Sequence, residues 1–247
     1  MMASQNAEPV RPDQAEPVQA AQHRDLWPGI AGLAAGGLLI AGYVLWTFTP
    51  DVSGRGALRT VGLWYLKESN QDQSEALALI LLAAGLLFLF FLVALSRLAG
   101  NRSHLVMVGG TVFTAFLLVA ALAGNIFAIT VRTSDVFPVV PETALIAILL
   151  LNTAYGAIIA AMVGAAVMLF ALWRAAQETH AIPAWLSWAG LVVAVLSLAG
   201  PWSAWLTPIL LAAWVLAASV VLILNALTGK EEAAALNPQP LPPQPER

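Results

Sequence analysis

Charged residues are missing from five long stretches of this chain. Leu26–Pro50, Ala76–Ser96, Ser103–Val131, Thr143–Trp173 and Thr179–Gly229 contain no Asp, Glu, Lys or Arg. Within them apolar residues run on without alternating with polar ones. A helix crossing the ~30 Å hydrocarbon layer needs about 20 mostly apolar residues, whereas a membrane β-strand shows about ten that alternate. Four of the stretches therefore predict one span each. The fifth is long enough for two, and Gly200-Pro201, followed by Pro208, supplies a turn between them. The pattern predicts an all-α polytopic membrane protein, a six-transmembrane-helix bundle. Its spans fall at about 29–48, 75–95, 105–131, 143–173, 183–200 and 206–227. The third and fourth exceed the minimum and so tilt or project beyond the bilayer.

The flanks divide the chain into three parts. Residues 1–28, rich in Gln, Ala, Pro and Glu, bury too little apolar surface to order themselves and predict a disordered tail. Residues 29–227 form the membrane domain. Residues 228–247 form a second disordered tail that ends Pro-rich, from Asn237 to Pro245, and is expected to sample extended polyproline II as a solvated segment. No basic stretch leads directly into the first apolar run, so that run is expected to be a retained signal-anchor. The connection Thr49–Ser74 is the long one. Leu58, Val61, Trp64 and Tyr65 fall near one face of a short helix there, which predicts an interfacial helix lying on the outer leaflet.

Composition agrees with an oil-solvated chain. Of 247 residues 60% are apolar and 10% charged, and the mean hydropathy is +0.80. A soluble domain carries about 25% charge. A net charge of -3 offers no basic surface for nucleic acid. With no cysteine, disulfides, thiol nucleophiles and Cys-ligated metals are excluded.

Tryptophan marks the ends of the spans, as it does where headgroups meet hydrocarbon. Trp27 and Trp46 are 19 residues apart, about 28 Å of helix. Trp173, Trp185 and Trp188 surround the fourth connection, and Trp202 and Trp205 sit in the last turn. These seven are read as interface anchors, and Trp214 alone lies well inside a span. With six spans both termini share a side. That side carries Arg11, Arg24, Arg97, Arg102, Arg174, Lys230 and Arg247, against Arg55, Arg59, Lys67 and Arg132 opposite. Basic flanks stay in the cytoplasm, so both termini are expected there.

Intramembrane chemistry is sparse. No ionisable side chain falls inside a span, which argues against a proton pump, a voltage sensor or an acid-lined ion path. His23, His104 and His180 lie outside the spans, so no haem or metal-activated water is expected, and no cofactor. Neither a His-Glu-x-x-His nor a Gly-x-Ser-Gly occurs, so the chain is expected not to be an enzyme. Neutral polar groups remain. Asn125 and Asn152 are predicted at comparable depth in neighbouring spans, close enough to hydrogen-bond. Asn125, Asn152 and Tyr155 are thus either interhelical glue or the polar anchors of an outward-facing cavity. Small residues recur at every fourth position: Gly32 and Gly36 in the first span, and Asn152, Gly156, Ala160 and Gly164 in the fourth. They are read as close-packing stripes within the bundle.

The fifth span opens Ile182-Pro183-Ala184-Trp185-Leu186-Ser187-Trp188-Ala189-Gly190. This Pro-x-Trp-Leu-x-Trp-x-Gly pattern resembles that of a broad group of uncharacterised six-helix bacterial membrane proteins, a domain-of-unknown-function family. The likeness extends more loosely from Pro28 to Leu227. It implies six helices in a bacterial plasma (inner) membrane and brings no activity or site residue with it.

Two functions follow as expectations. The first is a non-enzymatic structural or accessory component, in contact with the lipid bilayer and with a membrane-protein partner or a second copy of itself. The alternative is a facilitator or transporter of a small neutral or lipophilic solute, recognised around Asn125 and Asn152.

Overall fold

The computed structural model describes residues 26–54, 56–134, 138–179 and 182–236. Of the tails expected to be disordered, 1–28 and 228–247, residues 1–25 and 237–247 lie outside the described residues, as do His23 and His180, whereas 27–28 and 228–236 are helical. Among the described residues the chain is helical, without a strand. The α-helices are α1 (Trp27–Trp46), α2 (Ala57–Tyr65), α3 (Glu68–Leu98), α4 (Ser103–Thr133), α5 (Pro141–Thr179), α6 (Ala184–Ser197) and α7 (Thr207–Leu236), with short 3-10 turns at Gly100–Arg102 and Gly200–Trp202.

Among the described residues five helices, α1, α3, α4, α5 and α7, are long and apolar enough to cross a membrane. The sequence predicts six, and α6 is where the two differ. It has 14 residues, about 21 Å of helix, and not the 18 of the predicted 183–200. Gly200 adopts φ +61°, and a residue before proline is driven out of the helical region. The helix therefore stops at Ser197. At the other end of the chain α7 runs to Leu236, nine residues past the predicted 227, through a Glu- and Ala-rich stretch of good helix formers.

Neighbouring helices run antiparallel and touch through glycines. Gly29 of α1 faces Ile223 of α7, and Gly32 lies between Phe91 of α3 and Ser219 of α7. Gly36 meets Leu216 of α7. The tightest crossing joins α4 and α5. A β-carbon on Gly109 would stand 2.5 Å from the Met168 backbone nitrogen, and one on Gly164 would stand 2.6 Å from the Phe113 backbone nitrogen. Only glycine lets these backbones approach so closely, since lipid supplies no hydrophobic force between helices and packing must hold them. The main core follows from these contacts and includes Phe88, Phe91, Leu92, Phe113 and Met168.

Near the far end of α1, Trp46 approaches Gly124, which faces Ala154, and Tyr43 donates a hydrogen bond to the Trp205 carbonyl. These contacts place Trp46, Gly124, Ala154 and Trp205 at one level. Trp27 is about 28 Å below it. Above that level α4 continues to Thr133 and α5 begins at Pro141, rising about 14 and 20 Å. Helix α2 packs one face on this projection. Val61 and Tyr65 are buried with Phe127, Ala128 and Ala147, and the Tyr65 ring meets Phe127 edge-on at 4.7 Å. Of the predicted face only Leu58 points outward, with Leu63 and Leu66.

The polar start of α3 ties this cap down. Asn70 and Gln71 donate to the carbonyls of Trp64 (2.8 Å) and Tyr65 (2.7 Å), and Gln73 to that of Leu45 (3.1 Å). The last carbonyls of a helix have no partner within it, and these side chains supply one. For this reason α3 begins at Glu68, seven residues before the predicted span.

Candidate functional site

A cavity of about 240 Å³ opens at the level of Trp46 and Trp205 and descends between α1, α3, α4, α5 and α7. Its mouth is formed by Trp46 and Thr47 of α1, Tyr155 of α5, and Ala204 and Trp205 of the turn before α7. Its walls are Leu39, Gly42, Leu81, Leu117, Ile158, Ala161, Pro208 and Leu211, and it reaches Phe113 and Met162. Phe113 is 11 residues along α4 from Gly124, so the cavity is about 16 Å deep. That is roughly half the distance between the two tryptophan levels. Below it the Phe113 ring packs edge-on against Phe88 at 4.8 Å, and the Gly109–Gly164 crossing brings α4 and α5 together. The cavity lies toward the Trp46 end of α1, away from Trp27.

Local sequence explains the space. Gly42, Ala161 and Ala204 present little or no side chain where a Leu would fill the gap. Helix α6 stops early, and its turn is the roof edge. That turn is pinned by Ser203, whose hydroxyl donates to the Leu196 carbonyl at 2.5 Å.

Among the described residues the lining carries no charged side chain; its polar atoms are hydroxyls, indole nitrogens and backbone at the mouth. Tyr43 donates to the Trp205 carbonyl, and Thr47 to the Val44 carbonyl at 2.7 Å. Tyr155 lies 3.5 Å from the Pro201 carbonyl oxygen. Such a site favours uncharged, mostly apolar guests, because a charge without a partner is expensive to desolvate. An apolar cavity of about 150 Å³ accepts benzene, and drug-sized pockets begin at about 300 Å³. The guest is therefore on the scale of a single substituted ring or a short acyl segment. A second depression of about 330 Å³, between Leu58, Leu63, Leu66 and Val139–Pro141, is a surface groove on the cap. Among the described residues no three His, Asp or Glu side chains are grouped to hold a metal ion.

Of the three residues named from sequence, Tyr155 lines the cavity and the two asparagines do not. Asn125 is buried. Its amide donates to the Ala121 carbonyl one turn back at 2.7 Å, and its Oδ1 has no partner among the described residues. Asn152 is exposed on the outer face of α5. The two do not pair. Gly32, Gly36 and Gly164 sit at intramolecular contacts, whereas Gly156 has nothing near it and Ala160 is half-buried. A fourfold repeat drifts around a helix of 3.6 residues per turn, so one end of the stripe leaves the interface. Trp27, Trp185 and Trp188 are exposed at one end of the bundle, and the Trp173 ring meets Trp188 at 5.7 Å. Trp202 and Trp205 are exposed at the other end with Trp46 nearby. Trp214 is buried and donates to the Leu186 carbonyl at 2.9 Å.

Tyr43, Thr47 and Phe113 were not singled out from sequence. One signal was there: of three tyrosines, two stand within a turn of a span's outer tryptophan level. No protein-family model, curated protein or solved structure matches the chain.

Proposed function

We propose that this chain is a non-enzymatic integral membrane protein that holds a small, uncharged, lipophilic molecule in the cavity between α1, α3, α4, α5 and α7. The carrying observation is that cavity: about 240 Å³, apolar in its depth, hydroxyl-bearing at its mouth and ending about halfway through the bundle. A blind pocket favours binding and presentation over a continuous conduction path. In this reading α6 and its turn complete a sixth crossing of a bacterial plasma membrane, both termini are cytoplasmic, and the pocket faces outward. Membership of the six-helix bacterial group that residues 182–190 resemble is part of the same proposal.

Fluorobenzene tests it. In nanodiscs, its ¹⁹F signal should show saturable binding beyond partitioning into empty discs, and Ala161→Trp, which fills the wall, should abolish it. Equal signals for the wild type, the variant and empty discs would overturn the reading.

A separate observation favours an accessory role beside another copy of the chain. Ile126, Ile129, Leu145, Ile146 and Leu149 are exposed on α4 and α5 above the outer tryptophan level. Contiguous apolar surface there calls for cover. Because the chain has no cysteine, single substitutions report cleanly. Leu149→Cys is expected to cross-link into a dimer under mild oxidation in native membranes, and Leu86→Cys on α3 is not. Equal yields from the two would count against this role.

A further inference from the structure

We propose that Tyr155 sets the specificity of the cavity by donating its phenolic hydrogen to an oxygen acceptor, a carbonyl or ether, on an otherwise apolar ligand. The inference rests on the binding reading above and names the chemical class that reading leaves open.

Three side-chain hydroxyl groups stand at the mouth, and their hydrogens are differently engaged. That of Tyr43 goes to the Trp205 carbonyl, and that of Thr47 closes onto its own helix at the Val44 carbonyl, 2.7 Å away. Among the described residues Tyr155 has only the Pro201 carbonyl, at 3.5 Å. An O–H···O bond ordinarily spans 2.5–3.0 Å, so this contact is stretched to the edge of bonding. Its hydrogen is the one a guest can win at small cost. The ring is held by α5, with Ile158 and Met162 on the same wall, and it stands at the mouth of an apolar space. A guest whose apolar body lies against Ile158 and Met162, one and two turns along α5, brings one end to this hydroxyl. A hydrocarbon there would shield the phenol from water and offer it nothing, whereas an acceptor oxygen repairs the stretched bond. A site with a donor waiting discriminates against analogues that lack the acceptor.

The test uses two probes of matched shape, 4-fluoroacetophenone and 4-fluoro-α-methylstyrene, in which a methylene replaces the ketone oxygen. Binding is read by ¹⁹F NMR in nanodiscs, with partitioning into empty discs subtracted. The wild type is expected to prefer the ketone about fivefold, the scale of one net hydrogen bond. Tyr155→Phe, which keeps the ring, should reduce that preference to within about twofold and leave the hydrocarbon's affinity unchanged. Tyr43→Phe should retain the preference, showing that the effect belongs to one hydroxyl. Saturable binding of both probes without a ketone preference, or a preference that survives Tyr155→Phe, overturns the role of Tyr155 and leaves the pocket standing. Absence of saturable binding by either probe overturns the pocket reading itself, and this inference with it.

Discussion

Gly109 and Gly164 show how much a single hydrogen atom decides where two helix backbones meet. A methyl group at Gly109 would press on the Met168 nitrogen and on the Gly164 carbonyl oxygen, 2.5 and 2.8 Å away, and backbone cannot turn aside as a side chain can. Gly109→Ala and Gly164→Ala are each expected to cost about 1–3 kcal/mol, read as a lowered thermal midpoint in one detergent. Gly156→Ala, in the same stripe with nothing near it, should be neutral or stabilising by up to about 1 kcal/mol, as Ala is the better helix former. A loss at Gly156 as large as at Gly109 would mean the crossing lies elsewhere. Asn152 was legible as a polar residue at a given depth but not as an exposed one. A residue near the tryptophan level reaches headgroups and water, and so needs no partner in a neighbouring helix.

Helix α2 is the element whose protein contacts the local pattern did not reveal. Its residues Ala57, Val61 and Tyr65, spaced four apart, face protein, and Leu58, Leu63 and Leu66 face out. The outward side mixes Arg59 and Thr60 with these leucines, so amphipathicity alone did not fix which apolar residues dock on protein. The deciding partners, Phe127, Ala128 and Ala147, lie more than 60 residues away. Burial pushes the Tyr65 phenol up to about 12, despite an opposing hydrogen bond with Ser74. A folded-state value above the ordinary 10 means the neutral form is favoured on folding. Stability is thus full below pH 10 and falls as pH rises from 10 toward 12. Over that interval the loss is on the order of 2–3 kcal/mol. Tyr65→Phe should remove this slope in thermal melts between pH 10 and 12; an unchanged slope would place the ionising group elsewhere.

At the scale of the whole molecule, the bundle is layered along its axis. One end holds Trp27, Trp185 and Trp188, with the Arg102–Glu178 ion pair at 2.7 Å. The middle holds glycine crossings and packed phenylalanines, and the other end holds the cavity mouth and the α2 cap. There Arg132 pairs with Asp72 and Glu75, linking α4 to α3. These exposed pairs contribute little energy and serve mainly to set register. The proposed orientation puts this capped end outside. Ser53→Cys is therefore expected to react with a membrane-impermeant maleimide added to intact cells, and Asn101→Cys only after lysis. The reverse labelling would invert the orientation and turn the pocket toward the cytoplasm.

The sequence by itself determined most of the helices and that five of them are long and apolar enough to cross a membrane. The length of charge-free runs is a local quantity, and oil demands about 20 residues for each crossing whatever the helices later touch. It also located the turn at Gly200-Pro201, a local backbone constraint. The tertiary structure alone decided the cavity, the burial of Asn125 beside the exposure of Asn152, and the docking of α2 onto protein. Each of these depends on which faces of distant helices meet. Lipid and helix interior are nearly equally apolar, so hydropathy along the chain cannot say which side of a helix is which.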